Sequence, residues 1–300
     1  MKRILLKDYN ISKALYHFYL RIENLASTEA IIVYQMGKVG STTILKTLKA
    51  SELDNPIYHI HDLKQETLKK DEKHYKNLFR GHYRHRIRPF HLWESQYLRS
   101  RLEKGNTKKW KIITVVRDPV ARNISAFFQT LQSEVDLDYH QFLSMNNSQT
   151  QKVIEELIDI FLNRIRWHDY PLKWLDAELQ DVLGIDVFAS AFPTAKGYKI
   201  YRTKHINLLL LRLESLRDSA RDAFKEFLDI DQFSLIKANI GSEKPYSDIY
   251  KKFKDRFFLP DIYIEKMYTS KYMKHFYTEE EISQFKEIWN KGSAESRKIK

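Results

Sequence analysis

Two glycines three residues apart enclose a lysine in the stretch YQMGKVGSTT, which covers residues 34–43. Three consecutive hydroxyl side chains follow the second glycine. A glycine turn between a buried strand and a helix directs backbone N–H groups at the strand end, where the helix N-terminus adds partial positive charge. The spacing therefore predicts a phosphate-binding loop of seven consecutive residues: Gly37, Lys38, Val39, Gly40, Ser41, Thr42 and Thr43.

This loop differs from the loop of nucleotide triphosphatases. In those proteins the lysine follows the last glycine, and the next hydroxyl binds magnesium. Here Lys38 lies between the two glycines, and no acidic metal partner stands beside it. We therefore expect phosphate binding without a metal ion.

A second candidate anion site is predicted where VVRDPVARNIS follows a strand. Arg117 ends the strand, Asp118 can cap a helix that starts at Pro119, and Ser125 lies two turns along that helix. The helical period places Asp118, Arg122, Ser125 and Gln129 on one polar side. Arg117 and Ser125 can converge on a phosphate, although a surface arginine beside a serine bonded to its own backbone is the alternative.

The stretch YHIHDL carries two histidines that strand periodicity places on one face. His61 is nearer the carboxyl end of the strand, where ligands bind to parallel sheets. It is the preferred general base, His59 is its neighbour, and Glu94 is a second candidate base. Chelation of a metal with Asp62 or His91 is an alternative that lacks a convincing third ligand spacing.

Buried strands alternating with helices must position these residues. The strands are predicted over 30–34, 56–63, 110–119 and 206–216, with IDVFAS as a further strand. The alternation predicts an α/β fold with three layers and a central parallel sheet flanked by helices. No linker or repeat interrupts the pattern, so we expect an N-terminal helical extension over 1–29 and a single domain over 30–300.

Composition favours a globular protein that binds anions. The 300 residues carry 51 Lys and Arg against 39 Asp and Glu, which gives a formal net charge of +12, and 43% of the residues are hydrophobic. There is no cysteine, which excludes disulfides and thiolate chemistry. The densest basic stretch covers 80–91, and it fits either an acidic ligand or a solvated face.

The N-terminal sequence lacks the features of a secretory signal, so we expect a cytoplasmic protein. Leu5, Ile11, Leu15 and Phe18 are apolar among basic neighbours. This pattern fits a helix packed on the domain, or an amphipathic helix resting on the inner face of a membrane.

The two anion motifs together resemble the cofactor motifs of sulfotransferases that use 3′-phosphoadenosine 5′-phosphosulfate (PAPS). YQMGKVGSTT is similar to the 5′-phosphosulfate loop, and TVVRDPVARNISAFF is similar to the 3′-phosphate motif. LLLLRLESL, NIGSEKPY and MYTSKYMKHFYTEEEISQF resemble the later strand, the C-terminal cofactor loop and the tail of bacterial capsular-polysaccharide sulfotransferases. YHIHDL is similar to the His-x-His of uronyl and heparan 2-O-sulfotransferases.

The resemblance implies a P-loop-like sulfotransferase fold and a role for each motif. Lys38 would contact the bridging oxygen of the leaving phosphate, and Arg117 and Ser125 would bind the 3′-phosphate. Lys244 in GSEK is a candidate for the same side of the cofactor, with an exposed loop lysine as the alternative. His61 would deprotonate the acceptor hydroxyl. The tail aromatics Tyr268, Tyr272, Phe276 and Tyr277 are expected in the core rather than at a sugar site.

The expected activity is sulfuryl transfer from PAPS to a hydroxyl of a saccharide or polysaccharide in capsule biosynthesis, with 3′,5′-adenosine bisphosphate (PAP) as product and no metal. The acceptor fits an acidic glycan rather than nucleic acid. Two alternatives stay open: a nucleotide-dependent phosphotransferase, and a non-catalytic anion-binding protein held by its charge.

Overall fold

The structure is a computed structural model that describes residues 8–23, 29–80, 89–105, 110–134, 145–231, 233–236, 246–256 and 258–296. The chain divides into two compact units, each assembled from three separate stretches. Unit 1 takes Met1–Val116, Leu175–Ala189 and Lys196–Ile236. Unit 2 takes Arg117–Trp174, Ser190–Ala195 and Lys237–Lys300.

Unit 1 contains a five-stranded sheet in the order β2-β1-β3-β5-β4. The first four strands of this order are parallel, and β4 is antiparallel to β5 at one edge. The predicted α/β class with a mostly parallel central sheet is therefore confirmed. The strands are β1 (Ile31–Tyr34), β2 (Ile57–Ile60), β3 (Trp110–Val116), β4 (Tyr198–Arg202) and β5 (Ile206–Arg212).

The central strands form because their residues are apolar without alternation. All four residues of β1 are buried, and so are the last five residues of both β3 and β5. A strand that is covered on both faces needs such a continuous apolar run. The register pairs Val33 with His59 of β2 on one side and with Ile113 of β3 on the other, so the carboxyl ends of these strands lie at one edge.

The helices of unit 1 connect the strands and cover the sheet. They are α1 (Tyr9–Glu23), α2 (Ser41–Ala50), α3 (Gln65–Arg80), α4 (Phe90–Glu103), a π-helical segment (Leu175–Gln180) that leads into α8 (Asp181–Leu183), and α9 (Leu216–Leu228). The helix α2 packs on β1 and β2, α4 packs on β2, and α9 packs on β4 and β5.

Aromatic side chains hold α1 on α3 and α4. The ring of Tyr9 lies 5.2 Å from that of Phe79 and 5.7 Å from that of Trp93 between centroids. Tyr97 Oη donates a hydrogen bond of 3.3 Å to the carbonyl of Leu20 at the other end of α1. One face of α1 is thus packed on unit 1 along the whole helix.

The predicted strand IDVFAS is wrong, because these residues form turns. The carboxylate of Asp186 accepts a hydrogen bond of 2.8 Å from the backbone N–H of Phe188, and such a local bond competes with a strand ladder. The edge strand β4 takes the next place in the sheet. Of its residues YKIYR only Tyr198 is buried, so β4 lacks the continuous apolar run by which the other strands were predicted.

Unit 2 is helical within the described residues. The predicted apolar row of its first helix is confirmed, since Val120, Ile124, Phe127, Phe128 and Leu131 are all buried. The helices are α5 (Pro119–Glu134), α6 (Asn147–Asp159) with a π-helical turn (Ile160–Arg164), α7 (Tyr170–Trp174), α10 (Ser247–Arg256), α11 (Asp261–Tyr268), α12 (Lys271–Phe276) and α13 (Glu279–Ser296).

Candidate functional site

The turn between β1 and α2 has the backbone shape that the sequence predicted. Lys38 has φ 74° and Gly40 has φ 92°, so both residues are in the left-handed region. The helix α2 begins directly afterwards at Ser41, and the first N–H groups of a helix have no partner inside it. A turn of this kind at a helix N-terminus offers backbone N–H groups to an anion.

The two glycines of the turn have different surroundings. The φ of 92° at Gly40 favours glycine, and a Cβ there would lie 2.8 Å from Cδ1 of Leu213, so that side chain would have to shift. A Cβ on Gly37 would meet no heavy atom within 4 Å. Gly37 therefore borders open space, where a ligand can approach the backbone.

The seven-residue loop contains five side chains, of which one is buried and four are partly exposed. Val39 is fully buried, main chain included, so it anchors the loop on unit 1. Lys38 is partly exposed, as are the three hydroxyl residues Ser41, Thr42 and Thr43. The loop thus presents a lysine and three hydroxyls at an accessible surface above a buried anchor.

Gln35 connects β1 to the glycine turn, and its side chain is fully buried. Neither Oε1 nor Nε2 of Gln35 has a hydrogen-bond partner within the described part of the chain. A buried amide without partners costs free energy, so it indicates a water or ligand group nearby. This orphaned amide and the open space at Gly37 make the turn fit a phosphate-bearing ligand.

His61 lies beyond the carboxyl end of β2 and contacts the same segment. Its Nδ1 is 2.8 Å from the backbone carbonyl oxygen of Gln35. A carbonyl can only accept, so Nδ1 carries the proton and donates it, and Nε2 is then the basic nitrogen of the neutral ring. The structure therefore holds His61 in the tautomer that a general base needs at Nε2.

Two further histidines surround His61. Its ring centroid lies 4.8 Å from that of His59 and 5.8 Å from that of His91. Burial is the main cause that lowers the pKa of His59 to about 3 and that of His91 to about 4, and the neighbouring His61 adds to both effects. Both neighbours are therefore neutral near pH 7.

Glu94, the second candidate base, is engaged in structural contacts. Its Oε1 accepts a bond of 2.7 Å from Tyr16 Oη, and its Oε2 accepts one of 2.9 Å from the backbone N–H of His59. Burial raises the pKa of this carboxyl above its usual range. Glu94 thus connects α1 to β2 and is a weaker candidate than His61.

The metal alternative finds no support in the geometry of these side chains. Across the described ranges, no three histidine, aspartate or glutamate side chains are grouped so that they could hold a metal ion. The pair His59 and His61 therefore has no third ligand at Asp62 or His91.

Glu178 is a residue that the sequence did not single out, and it fixes the segment after His61. Its buried carboxylate accepts hydrogen bonds of 2.7 Å and 3.0 Å from the backbone N–H groups of Leu63 and Lys64. It also accepts a short hydrogen bond from the hydroxyl of Tyr34, the last residue of β1. The π-helical segment thus holds the ends of β1 and β2 in place.

In unit 2, the backbone of Arg117 is held by the hydroxyl of one tail tyrosine. Tyr272 Oη accepts a bond of 2.9 Å from the N–H of Arg117 and donates one of 2.8 Å to its carbonyl. The predicted core position of the tail aromatics is confirmed, since Tyr268, Tyr272, Phe276 and Tyr277 are buried. Two of them also have a positioning task, which the sequence did not indicate.

Asp118 caps α5 as predicted. Its carboxylate accepts bonds of 3.1 Å and 3.2 Å from the N–H groups of Val120 and Ala121. It also accepts a bond of 2.9 Å from Tyr268 Oη and one of 3.0 Å from Trp289 Nε1. Arg117 therefore precedes a helix terminus that α11 and α13 hold in place.

The predicted polar side of α5 is wrong in part. Asp118 and Arg122 are buried, whereas Ser125 is partly exposed and Gln129 is exposed. Arg122 is covered by aromatic rings, and its guanidinium carbon lies 4.7 Å from the ring centroid of Tyr170. The partly exposed Ser125 stays a candidate anion ligand beside Arg117, and Lys244 lies outside the described residues.

Residues 145–278 match the family NKWYS, which is described as "Putative capsular polysaccharide synthesis protein". The matched segment covers less than half of the 300 residues, and over that segment the chain is similar to a capsule-related family. The segment does not include the glycine turn or His61. No curated protein and no solved structure matches the chain.

Proposed function

We propose that the chain is a PAPS-dependent sulfotransferase with a P-loop-like fold, and that it modifies a hydroxyl of a saccharide or polysaccharide. One observation carries the proposal: a glycine turn with Lys38 lies at the N-terminus of α2, and its neighbour Gln35 holds His61 through a backbone carbonyl. An anion cradle and a candidate base thus meet within unit 1. The capsule-related family match agrees with a saccharide acceptor.

The donor supplies, when bound, a sulfuryl group that passes to the acceptor oxygen, with PAP as the product. The backbone N–H groups of the turn and the hydroxyls of Ser41, Thr42 and Thr43 hold the 5′-phosphate. Lys38 supplies positive charge where the leaving phosphate gains negative charge. His61 takes the proton of the acceptor hydroxyl at Nε2.

The site for the 3′-phosphate of the donor is proposed because TVVRDPVARNISAFF resembles the 3′-phosphate motif of sulfotransferases. Arg117 and Ser125 bind the 3′-phosphate, and Lys244 belongs to the same side of the cofactor. The backbone of Arg117, held by Tyr272 at both its N–H and its carbonyl, supports this role because it fixes the point from which the side chain reaches out. No metal ion takes part in the proposed transfer.

Calorimetric titration with PAP, 5′-AMP and ATP-Mg tests the cofactor class. We expect PAP to bind about tenfold or more tightly than 5′-AMP, since the 3′-phosphate adds charge-assisted hydrogen bonds. Arg117→Ala should abolish this preference, and Lys38→Gln should weaken PAP at least several-fold. The matched control is Lys46→Gln, because Lys46 is an exposed lysine on α2, the helix that follows the turn.

Other outcomes point to the two alternatives. Equal or tighter binding of ATP-Mg would replace the proposal by a phosphotransferase. If none of the nucleotides bound, or if Lys46→Gln weakened PAP as much as Lys38→Gln, the chain would be an anion-binding protein whose affinity follows its net charge.

A further inference from the structure

The helix α1 exposes a row of apolar side chains on the side that faces away from unit 1. Four residues spaced by three or four positions are exposed: Ile11 by 50%, Leu15 by 41%, Phe18 by 59% and Ile22 by 52%. The helical period of 3.6 places them on one stripe. Of the nine large hydrophobic residues that the described chain exposes, five lie on α1, since Tyr19 adds to the row.

The opposite face of α1 is the one that packs against α3 and α4, so the exposed row is not the core-facing side of the helix. Tyr9, Ser12 and Leu20 are buried. Lys13 Nζ forms an ion pair of 3.0 Å with Glu72 on α3, and His17 Nε2 donates a bond of 2.9 Å to the carbonyl of Trp93 on α4. One face of α1 is therefore fixed to the other helices of unit 1, and the opposite face is apolar and is not covered by any residue that the structure describes.

We infer that this row docks unit 1 on the surface of an anionic phospholipid bilayer. The fifteen residues of α1 span about 22 Å at 1.5 Å per residue, which is shorter than the ~30 Å hydrocarbon core, so the helix lies along the surface. No helix in the described ranges has the length and apolar character needed to cross a bilayer.

The basic charge near α1 favours an anionic lipid surface as the partner that covers the apolar row. The first 23 residues carry five basic side chains, Lys2, Arg3, Lys7, Lys13 and Arg21, against two acidic ones, Asp8 and Glu23. Arg21 is exposed at the edge of the row. The whole chain carries +12. A helix with an apolar stripe beside basic residues is the pattern of surface-bound amphipathic helices on anionic lipid.

A second copy of the chain is a poorer fit to the row. A stable protein interface uses roughly 20–30 residues on each side, whereas α1 offers five apolar side chains in a narrow stripe. A bilayer needs no complementary shape, so a narrow stripe is sufficient for it.

Vesicle sedimentation of the full chain tests the inference. We expect the protein to sediment with vesicles of phosphatidylcholine and phosphatidylglycerol at 70:30, and the variant Leu15→Gln with Phe18→Gln to lose about tenfold or more in affinity. This variant keeps every charge, so it separates the apolar row from the basic surface. Ile262→Gln is the control, since Ile262 is 82% exposed on α11.

Three results would overturn the inference. The first is no binding of the wild type to the anionic vesicles. The second is equal binding by the double variant, which would assign the attraction to charge alone. The third is a wild-type dimer in light scattering that the double variant converts to a monomer, which would make the row an interface between copies. Circular dichroism of the double variant establishes that it is folded.

Discussion

At the scale of single residues, the histidine cluster contains one candidate proton acceptor, His61, and two neutral neighbours, His59 and His91. Gln35 fixes the Nδ1 proton of His61, while burial keeps His59 and His91 uncharged near pH 7. Because the two neighbouring rings carry no charge, they do not repel the proton that His61 would take from the acceptor. The same burial makes the fold sensitive to acid.

The unfolding free energy should fall as the pH drops from 6.5 to 4.5. The pKa of His59 is about 3 in the folded chain and 6.5 in the unfolded one, so the unfolded state binds more protons in this window. His59→Gln removes this proton site. We expect its unfolding free energy to fall about 2 kcal/mol less than that of the wild type between these pH values.

Urea titrations at both pH values measure this difference. Buried carboxyls with a raised pKa, such as Glu94 and Asp118, act in the opposite direction, and the comparison of two variants cancels their effect. His74→Gln is the control, because His74 is exposed on α3. An identical fall for the wild type and His59→Gln would show that His59 is not buried as described.

At the scale of elements, the junction of β1 and α2 depends on close packing against the end of β5. Gly40 is in the left-handed region and its Cα faces Leu213. Two requirements therefore act on one residue, namely φ and space. They can be separated by substitution.

Gly40→Ala should cost about 2–3 kcal/mol of unfolding free energy, because the left-handed Cβ is strained and the Leu213 side chain must also shift. Gly105→Ala is the matched control, since Gly105 has φ 66° and no atom within 4 Å of an added Cβ. It should cost only about 1–2 kcal/mol. The added variant Leu213→Ala should reduce the excess cost of Gly40→Ala, as urea unfolding can measure. Equal costs for the two glycines would contradict the packing described here.

A second element-level contact joins α12 to Arg117, the residue before the cap of α5. The hydroxyl of Tyr272 bonds both backbone groups of Arg117. If Arg117 binds the 3′-phosphate as proposed, this hydroxyl is a positioning group for it. The hydroxyl makes no proposed contact with the nucleotide.

Tyr272→Phe should weaken PAP about 3- to 30-fold and change 5′-AMP binding less than twofold, because only the 3′-phosphate ligand loses its support. Calorimetry with both nucleotides gives the ratio. Tyr201→Phe is the control, since it removes the 3.0 Å bond from a tyrosine hydroxyl to the carbonyl of Val187 in unit 1. A uniform loss for both nucleotides would indicate a general effect on stability instead.

At the scale of the whole molecule, local signals predicted the elements and missed the contacts between distant segments. The glycine turn, the cap at Asp118 and the continuous apolar strands follow from neighbouring residues, so the α/β class was predictable. The bonds from Glu178 to Leu63 and from Tyr272 to Arg117 join residues 115 and 155 positions apart. The local sequence around either residue of such a pair does not predict the contact.

Charged residues caused the clearest failure of the sequence pattern. Asp118 and Arg122 were placed on a polar helix side because isolated charges usually face water. The structure buries Asp118 under Tyr268 and Trp289, and it buries Arg122 among aromatic rings. The partners come from later in the chain, so only the tertiary structure identifies these residues as buried.

The division of unit 1 among three stretches also sets an order on its synthesis. The strand β3 is complete at Val116, but its parallel neighbour β5 begins only at Ile206, and unit 1 ends at Ile236. At about 5–20 residues per second, a ribosome needs roughly 5–19 s to extend the chain from Val116 to Arg212, the last residue of β5. During that interval the apolar edge of β3 has no β5 to pair with. Chaperone capture of the nascent chain is therefore most valuable between these two lengths.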